Sequence, residues 1–218
     1  MKNKLPNRKS IRLKGYDYSQ AGLYFVTICT QNRAHLFGNI KNGEMILNDA
    51  GKMVETEWMK LTDRYKNIQL HEYVVMPNHF HAIFQIVGAT LVVDPDNGQP
   101  QGIAPTPGIA PTEGIAPTPG IAPTGKRLGD MVGAFKSITT VNYIRHIKTN
   151  DWPRFYGKLW QRNYWEHIIR NEFAYNRISQ YIINNPVKWE KDKLNNGRGN
   201  TVMEPSADYG NENWNNYL

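Results

Sequence analysis

Cysteine is almost missing from this chain: Cys29 is the one copy in 218 residues. A single thiol excludes an internal disulfide and fits a reducing, cytoplasmic setting. Placed in an apolar stretch, Cys29 reads as a small core residue. Long hydrophobic runs are also missing. No apolar run approaches 18 residues, so the sequence is expected to carry no membrane-spanning helix. Acid is absent from residues 1–14, which hold Lys2, Lys4, Arg8, Lys9, Arg12 and Lys14. With no apolar centre, this basic start does not read as a signal peptide. It reads either as a solvated tail or as an arm that touches phosphate, and we favour the arm.

What is present suits one domain with tails. Hydrophobic residues make up 40% of the chain, and Lys plus Arg outnumber Asp plus Glu by 26 to 19, a net charge of +7. That surplus favours a polyanionic partner without identifying it. Residues 88–125 differ from the rest. Gly-Ile-Ala-Pro-Thr recurs from Gly102, Gly108, Gly114 and Gly120 with a period of six. Recurrent proline and a lack of large side chains argue against a packed element, so this stretch is expected to be a flexible insert.

The most informative stretch is His71 to Val87. It holds two apolar runs around a Met76-Pro77-Asn78 break, which predicts two strands, Ile68–Val75 and His79–Val87, paired as an antiparallel hairpin. In the second strand His79, His81, Ile83 and Gln85 share one face, and Phe80, Ala82, Phe84 and Ile86 share the other. The second set is apolar, as a core-facing side should be. Two imidazoles two residues apart on a strand converge on one point, which is a metal-ligand geometry. Taken alone, the pair reads equally well as two structural or surface histidines.

Elsewhere, Leu23–Thr30 predicts a strand, and Asn48 or Asp49 caps a helix to about Tyr65 with Met53, Val54, Trp58 and Leu61 on one face. A second helix is expected over 126–148, with Leu128, Met131, Val132, Phe135, Ile138, Val141 and Ile144 as its apolar stripe. Lys136, Ser137, Thr139 and Thr140 lie beside or opposite that stripe, either as a solvated face or as one that contacts phosphate. Residues 159–170 read as irregular chain entering a short strand. Glu172–Asn184 predicts a helix stopped at Asn185 by Pro186. Residues 191–218 are rich in Asn and Gly and are expected to form a loose polar tail.

Tyr181 and Asn185 are four apart and stack at the end of that last helix. Each alone suits an ordinary role, Tyr181 as a half-buried core residue and Asn185 as a helix stop. Together with His79-Phe80-His81 after Met76-Pro77-Asn78, with Leu159-Trp160-Gln161, and with Glu166 to Asn171, the run Tyr181 to Lys188 resembles the REP-associated tyrosine transposases. These are single-tyrosine HUH transposases of the IS200-like kind. The resemblance spans residues 16–190 apart from the insert. It leaves residues 1–15 as a basic arm and 191–218 as a tail.

The resemblance implies an α+β fold: a ferredoxin-like antiparallel sheet with helices on one face and a C-terminal helix that carries the tyrosine. It places the metal pair on His79 and His81, the nucleophile on Tyr181 and a third metal ligand on Asn185. It implies a divalent cation, Mg²⁺ or Mn²⁺, and single-stranded or hairpin DNA as partner. The reaction implied is cleavage and rejoining through a 5′-phosphotyrosine, by a monomer or a homodimer. Candidate DNA contacts are Arg8, Lys9, Arg12, Lys136, Ser137 and Arg162. Trp160, Tyr164 and Trp165 read either as base-stacking platforms or as core. Glu166 and His167 belong to the motif without an assigned chemistry. A DNA-binding protein of the same fold that cuts nothing is the alternative. A metal-dependent hydrolase is disfavoured, because no carboxylate adjoins His79 and His81 in sequence.

Overall fold

The computed structural model describes residues 15–87 and 127–195, and the backbone of 89–93 and 100–105. The basic arm, with Arg8, Lys9 and Arg12, lies outside the described residues, as do most of the repeats and the chain beyond residue 195.

Four strands make the central sheet: β1 (Gly22–Cys29), β4 (Ile68–Met76), β5 (His79–Ile86) and β8 (Trp165–Ile169). Their order is β4-β5-β1-β8, and every pairing is antiparallel. With α1 (Asp49–Met59) between β1 and β4, and α3 (Leu128–Thr149) between β5 and β8, the core reads βαββαβ, the ferredoxin-like order. A short helix α2 (Leu61–Arg64) follows α1, and α4 (Glu172–Ile183) follows β8.

Two features were not legible beforehand. A small hairpin, β2 (Gly38–Lys41) with β3 (Glu44–Leu47), sits between β1 and α1. Within the insert, β6 (Ala89–Val93) pairs with β7 (Pro100–Pro105) as a separate two-stranded ribbon. No regular pairing was expected there. The run Thr90-Leu91-Val92-Val93 has the β-branched character that supplies one strand.

The sheet has two unlike faces because β-strand side chains alternate. Tyr24, Val26 and Ile28 from β1, with Phe80, Ala82, Phe84 and Ile86 from β5, face α1 and α3 and form the main core. Trp58 of α1 is its keystone: its ring meets Phe80, Phe84 and Phe135 at centroid distances of 4.9, 5.8 and 5.5 Å, all edge-on. Leu23, Phe25, Ile83 and Ile169 point the other way and are covered by Ile178 and Ile182 of α4. The tyrosine-bearing helix therefore lies on the sheet face that carries the odd-numbered residues of β5, where His79 and His81 stand.

The apolar stripe of α3 turns away from its expected line halfway along. Leu128, Met131, Val132 and Phe135 are buried, but the burial continues through Thr139 and Tyr143, while Val141 and Ile144 are exposed. Thr139 is thus a core residue and not part of a phosphate-facing surface. Its Oγ1 accepts a hydrogen bond from Trp160 Nε1 at 2.9 Å, which lets a hydroxyl sit in the core. Phe173 of α4 is exposed and has Arg177 over its ring.

Candidate metal and tyrosine site

The β4–β5 turn is the anchor of the site. Pro77 and Asn78 form a two-residue turn, and Asn78 is wholly buried. Its backbone carbonyl accepts from the Thr30 amide at 2.9 Å and from Thr30 Oγ1 at 3.0 Å. The Pro77 carbonyl accepts from the amides of Leu36 and Phe37. That loop is held in turn by α1, whose Gly51 approaches so closely that a Cβ there would lie 2.2 Å from the Phe37 carbonyl oxygen.

The Asn78 side chain sets the chemistry of His79. Its Nδ2 donates to the carbonyls of Arg33 at 3.3 Å and Leu194 at 2.8 Å, so Oδ1 must face His79. That oxygen accepts from His79 Nδ1 at 2.8 Å, which leaves the lone pair on Nε2. His81 is oriented by a different pair. Its Nε2 shares a hydrogen bond with Tyr181 Oη at 3.2 Å, and its Nδ1 shares one with Thr27 Oγ1 at 2.8 Å. His79 thus carries its lone pair on Nε2, and His81 does the same in the tautomer whose Nδ1 donates to Thr27. Such an outer partner on Nδ1 is how metal-binding imidazoles are commonly held.

Burial keeps both rings neutral. His81 is pushed down to about 3 by burial and then by the Arg33 guanidinium. His79 lies well below the ordinary histidine range for the same first reason, with His81 and Arg33 adding to it. Neutral imidazole is the form that ligates a cation. The Tyr181 phenol is pushed well above its ordinary value, by burial first and by the Asp192 carboxylate second.

The elements bring these groups together from distant parts of the chain. Helix α4 starts at Asn171, whose side chain accepts from the Ala174 amide. It is pinned to β4 by Glu72, whose carboxylate accepts from Tyr175 at 2.9 Å and Ser179 at 3.2 Å. One turn further on, Tyr181 packs edge-on against Phe25 and lies 5.2 Å, ring to ring, from His81. Asn185, only 3% exposed, lies against His79, Tyr181 and Asp192.

All four residues expected at the centre, His79, His81, Tyr181 and Asn185, therefore meet. Two neighbours were missed. Asn78 was read as a turn residue only, although its place directly before a ligand-like histidine was a signal. Asp192 fell in the stretch expected to be a loose tail. Its side chain is instead only 7% exposed, with Oδ2 3.8 Å from His79 Nε2, and Trp189 packs its ring 5.9 Å from that of His79. Only the fold could reveal this, because the chain past Pro186 doubles back over the site.

The outlying candidates fare differently. Lys136 donates to the carbonyls of Gln161 at 2.7 Å and Arg162 at 3.0 Å, which ties α3 to the approach of β8. Burial holds it down to about 8. Ser137 and Arg162 are exposed. Trp160 is core, against Phe37 and Phe135, and not a surface platform. Tyr164 packs against the same core. Trp165 lies on the site face, edge-on to Phe25 and stacked on His167. Glu166 is buried on the opposite face from the two site histidines.

Among the described residues, no three His, Cys, Asp or Glu side chains stand close enough to hold a metal ion as they are. A mixed donor set fits one better. His79 Nε2, Asn185 Oδ1 and Asp192 Oδ2 are all buried without a hydrogen-bond partner. Buried polar atoms rarely stay unpaired, and acceptors such as His79 Nε2 and Asp192 Oδ2, 3.8 Å apart, suit a cation.

No protein-family profile matches the chain. Several solved chains are similar to it, these two among them. One is a REP-associated tyrosine transposase bound to a REP hairpin, 17% identical, covering 82% of this chain and 73% of that one, with a TM-score of 0.47. The other is described as a "putative transposase" of Deinococcus radiodurans, 16% identical, covering 79% of this chain and 95% of that one, with a TM-score of 0.40. Among other proteins, an uncharacterised protein of Haemophilus influenzae is 38% identical over 191 residues, 86% of this chain and 93% of that one. The chain belongs to the same family as this Haemophilus influenzae protein.

Proposed function

We propose that this protein is a metal-dependent tyrosine transposase that cuts and rejoins hairpin-flanked single-stranded DNA. The observation that carries the reading is the approach of the Tyr181 hydroxyl to His81 Nε2, 3.2 Å across 100 residues of sequence, with His79 and Asn185 at the same hollow. The motifs around His79, Trp160, Glu166 and Tyr181 support it independently.

His79, His81 and Asn185 would hold a divalent cation, Mg²⁺ or Mn²⁺. When bound, the cation offsets charge on the scissile phosphate and orients it for in-line attack. The Tyr181 hydroxyl, 3.2 Å from His81 Nε2, would stand beside such a cation and face the phosphate. Tyr181 Oη then forms a bond to phosphorus as the bond from phosphorus to the 3′-oxygen breaks. The phenol gives up its proton and the departing 3′-oxygen gains one. The products are a 5′-phosphotyrosine and a 3′-hydroxyl. A 3′-hydroxyl of another strand reverses the step, so no nucleotide cofactor is consumed. Tyr181 is the partly exposed member of the group, and the phosphodiester approaches along it. Ser137 and Arg162 supply backbone contacts, aided by the basic arm with Arg8, Lys9 and Arg12. Gln161 donates its amide to Cys29, the register partner of His79, so Arg162 stands at the sheet end that carries the site. A protein that acts this way works where DNA is found, in the cytoplasm.

The test is incubation with end-labelled hairpin DNA and Mn²⁺, read on a denaturing gel. The wild-type protein is expected to form a covalent adduct, and Tyr181→Phe none. An equal adduct yield from Tyr181→Phe removes Tyr181 from the chemistry. Binding of the hairpin with no adduct in the wild type favours the non-cutting alternative.

A further inference from the structure

Asp192 reaches the site from beyond the helix that carries Tyr181. Its Oδ1 accepts from the Leu194 amide at 2.7 Å, which fixes the carboxylate and leaves Oδ2 aimed at His79. The gap from Oδ2 to His79 Nε2 is 3.8 Å, too long for a hydrogen bond. Because His79 Nδ1 already donates to Asn78, the Nε2 facing this carboxylate is a lone pair. A lone pair opposite a carboxylate oxygen is a repulsive arrangement in a buried place, with the Asn185 side chain against both groups. Two donors each roughly 2.1 Å from one ion stand about 3–4 Å apart, depending on the angle between them. The spacing found here falls in that interval.

We propose that Asp192 is a further ligand of the divalent cation, the anionic member of a set with His79, His81 and Asn185. This rests on the functional reading above. A carboxylate makes the donor set harder and favours Mn²⁺ or Mg²⁺ over softer ions. It also lowers the charge presented to phosphate by one. The 191–195 segment becomes part of the site, held there by the bond from Asn78 Nδ2 to the Leu194 carbonyl.

The experiment measures Mn²⁺ uptake by the full chain without DNA, from the loss of the free-ion electron paramagnetic resonance signal. Wild type, Asp192→Asn and Asp192→Glu are compared, with metal-free thermal midpoints taken in parallel. Asp192→Asn is expected to weaken Mn²⁺ binding by roughly tenfold or more, at least what an outer partner of a ligand contributes. Asp192→Glu keeps the carboxylate and is expected to retain most of the affinity. Wild-type-like binding, within about twofold, by Asp192→Asn overturns the proposal. So does equal weakening by both variants together with equally lowered metal-free midpoints, which marks a structural role. The adduct assay separates this from the functional reading. A wild type that forms no adduct, yet binds Mn²⁺ through Asp192, loses the function and keeps the ligand. Normal adducts with undiminished Mn²⁺ binding by Asp192→Asn give the reverse.

Discussion

Replacing Asn78 by alanine removes one buried side chain that serves three partners. The carbonyls of Arg33 and Leu194 lose their donor, and His79 Nδ1 loses its acceptor. A typical internal hydrogen bond contributes about 0.5–1.5 kcal/mol net, and a buried group left without one costs more. Two of these bonds are 2.8 Å long and the third is 3.3 Å, so the last counts for less. The expected loss is about 2–4 kcal/mol, a large share of the roughly 5–15 kcal/mol that holds a domain folded. Urea unfolding measures it, with the slope unchanged and the midpoint lowered. Asn78→Asp sharpens the test. A carboxylate still accepts from His79 Nδ1, so the ring keeps its orientation, but it has no donor for either carbonyl. Asp is therefore expected to destabilise about as much as Ala while preserving Mn²⁺ affinity better. A midpoint for Asn78→Ala within about 0.5 kcal/mol of wild type refutes the three-way role of this side chain.

Two further outcomes test the core and the acid side of stability. Trp58→Ala opens a hole among Phe80, Phe84 and Phe135 and is expected to cost about 3–5 kcal/mol, read by the same unfolding assay; a cost below about 1 kcal/mol contradicts the packing. His167 is held down to about 4, by burial first and Arg170 second. Between about pH 6.5 and 4 the unfolded chain binds more protons at this residue than the folded chain. Stability therefore falls as pH drops through that window, by about 1.5 kcal/mol between pH 6.5 and 5. His167→Gln is expected to lose that part of the slope, and an unchanged pH dependence of the urea midpoint refutes it.

The sequence by itself determined what alternation and local chemistry can carry. Period-two patterning sorted Phe80, Ala82, Phe84 and Ile86 from His79 and His81, and the structure keeps them on opposite faces. The Pro77-Asn78 break placed the hairpin, and Pro186 placed the end of α4 near Asn184 and Asn185. Of the two cap candidates, Asn48 and Asp49, Asn48 caps α1 by accepting from the Gly51 amide. These are short-range rules, and short-range rules suffice for them. Where long-range packing chooses between equal local options, reading the chain alone misled. Val141 and Ile144 fit a helical stripe as well as Thr139 and Tyr143 do. The Trp160 indole covers Thr139, Trp152 and Phe155 cover Tyr143, and Val141 and Ile144 are left exposed. Lys136 has the charge of a phosphate contact, yet two carbonyls brought close by tertiary contact claim its ammonium. Asp192 lies in a polar stretch that no local pattern marks. It enters the site because the Leu194 carbonyl finds the Asn78 amide, a contact across 116 residues that only the folded chain can make.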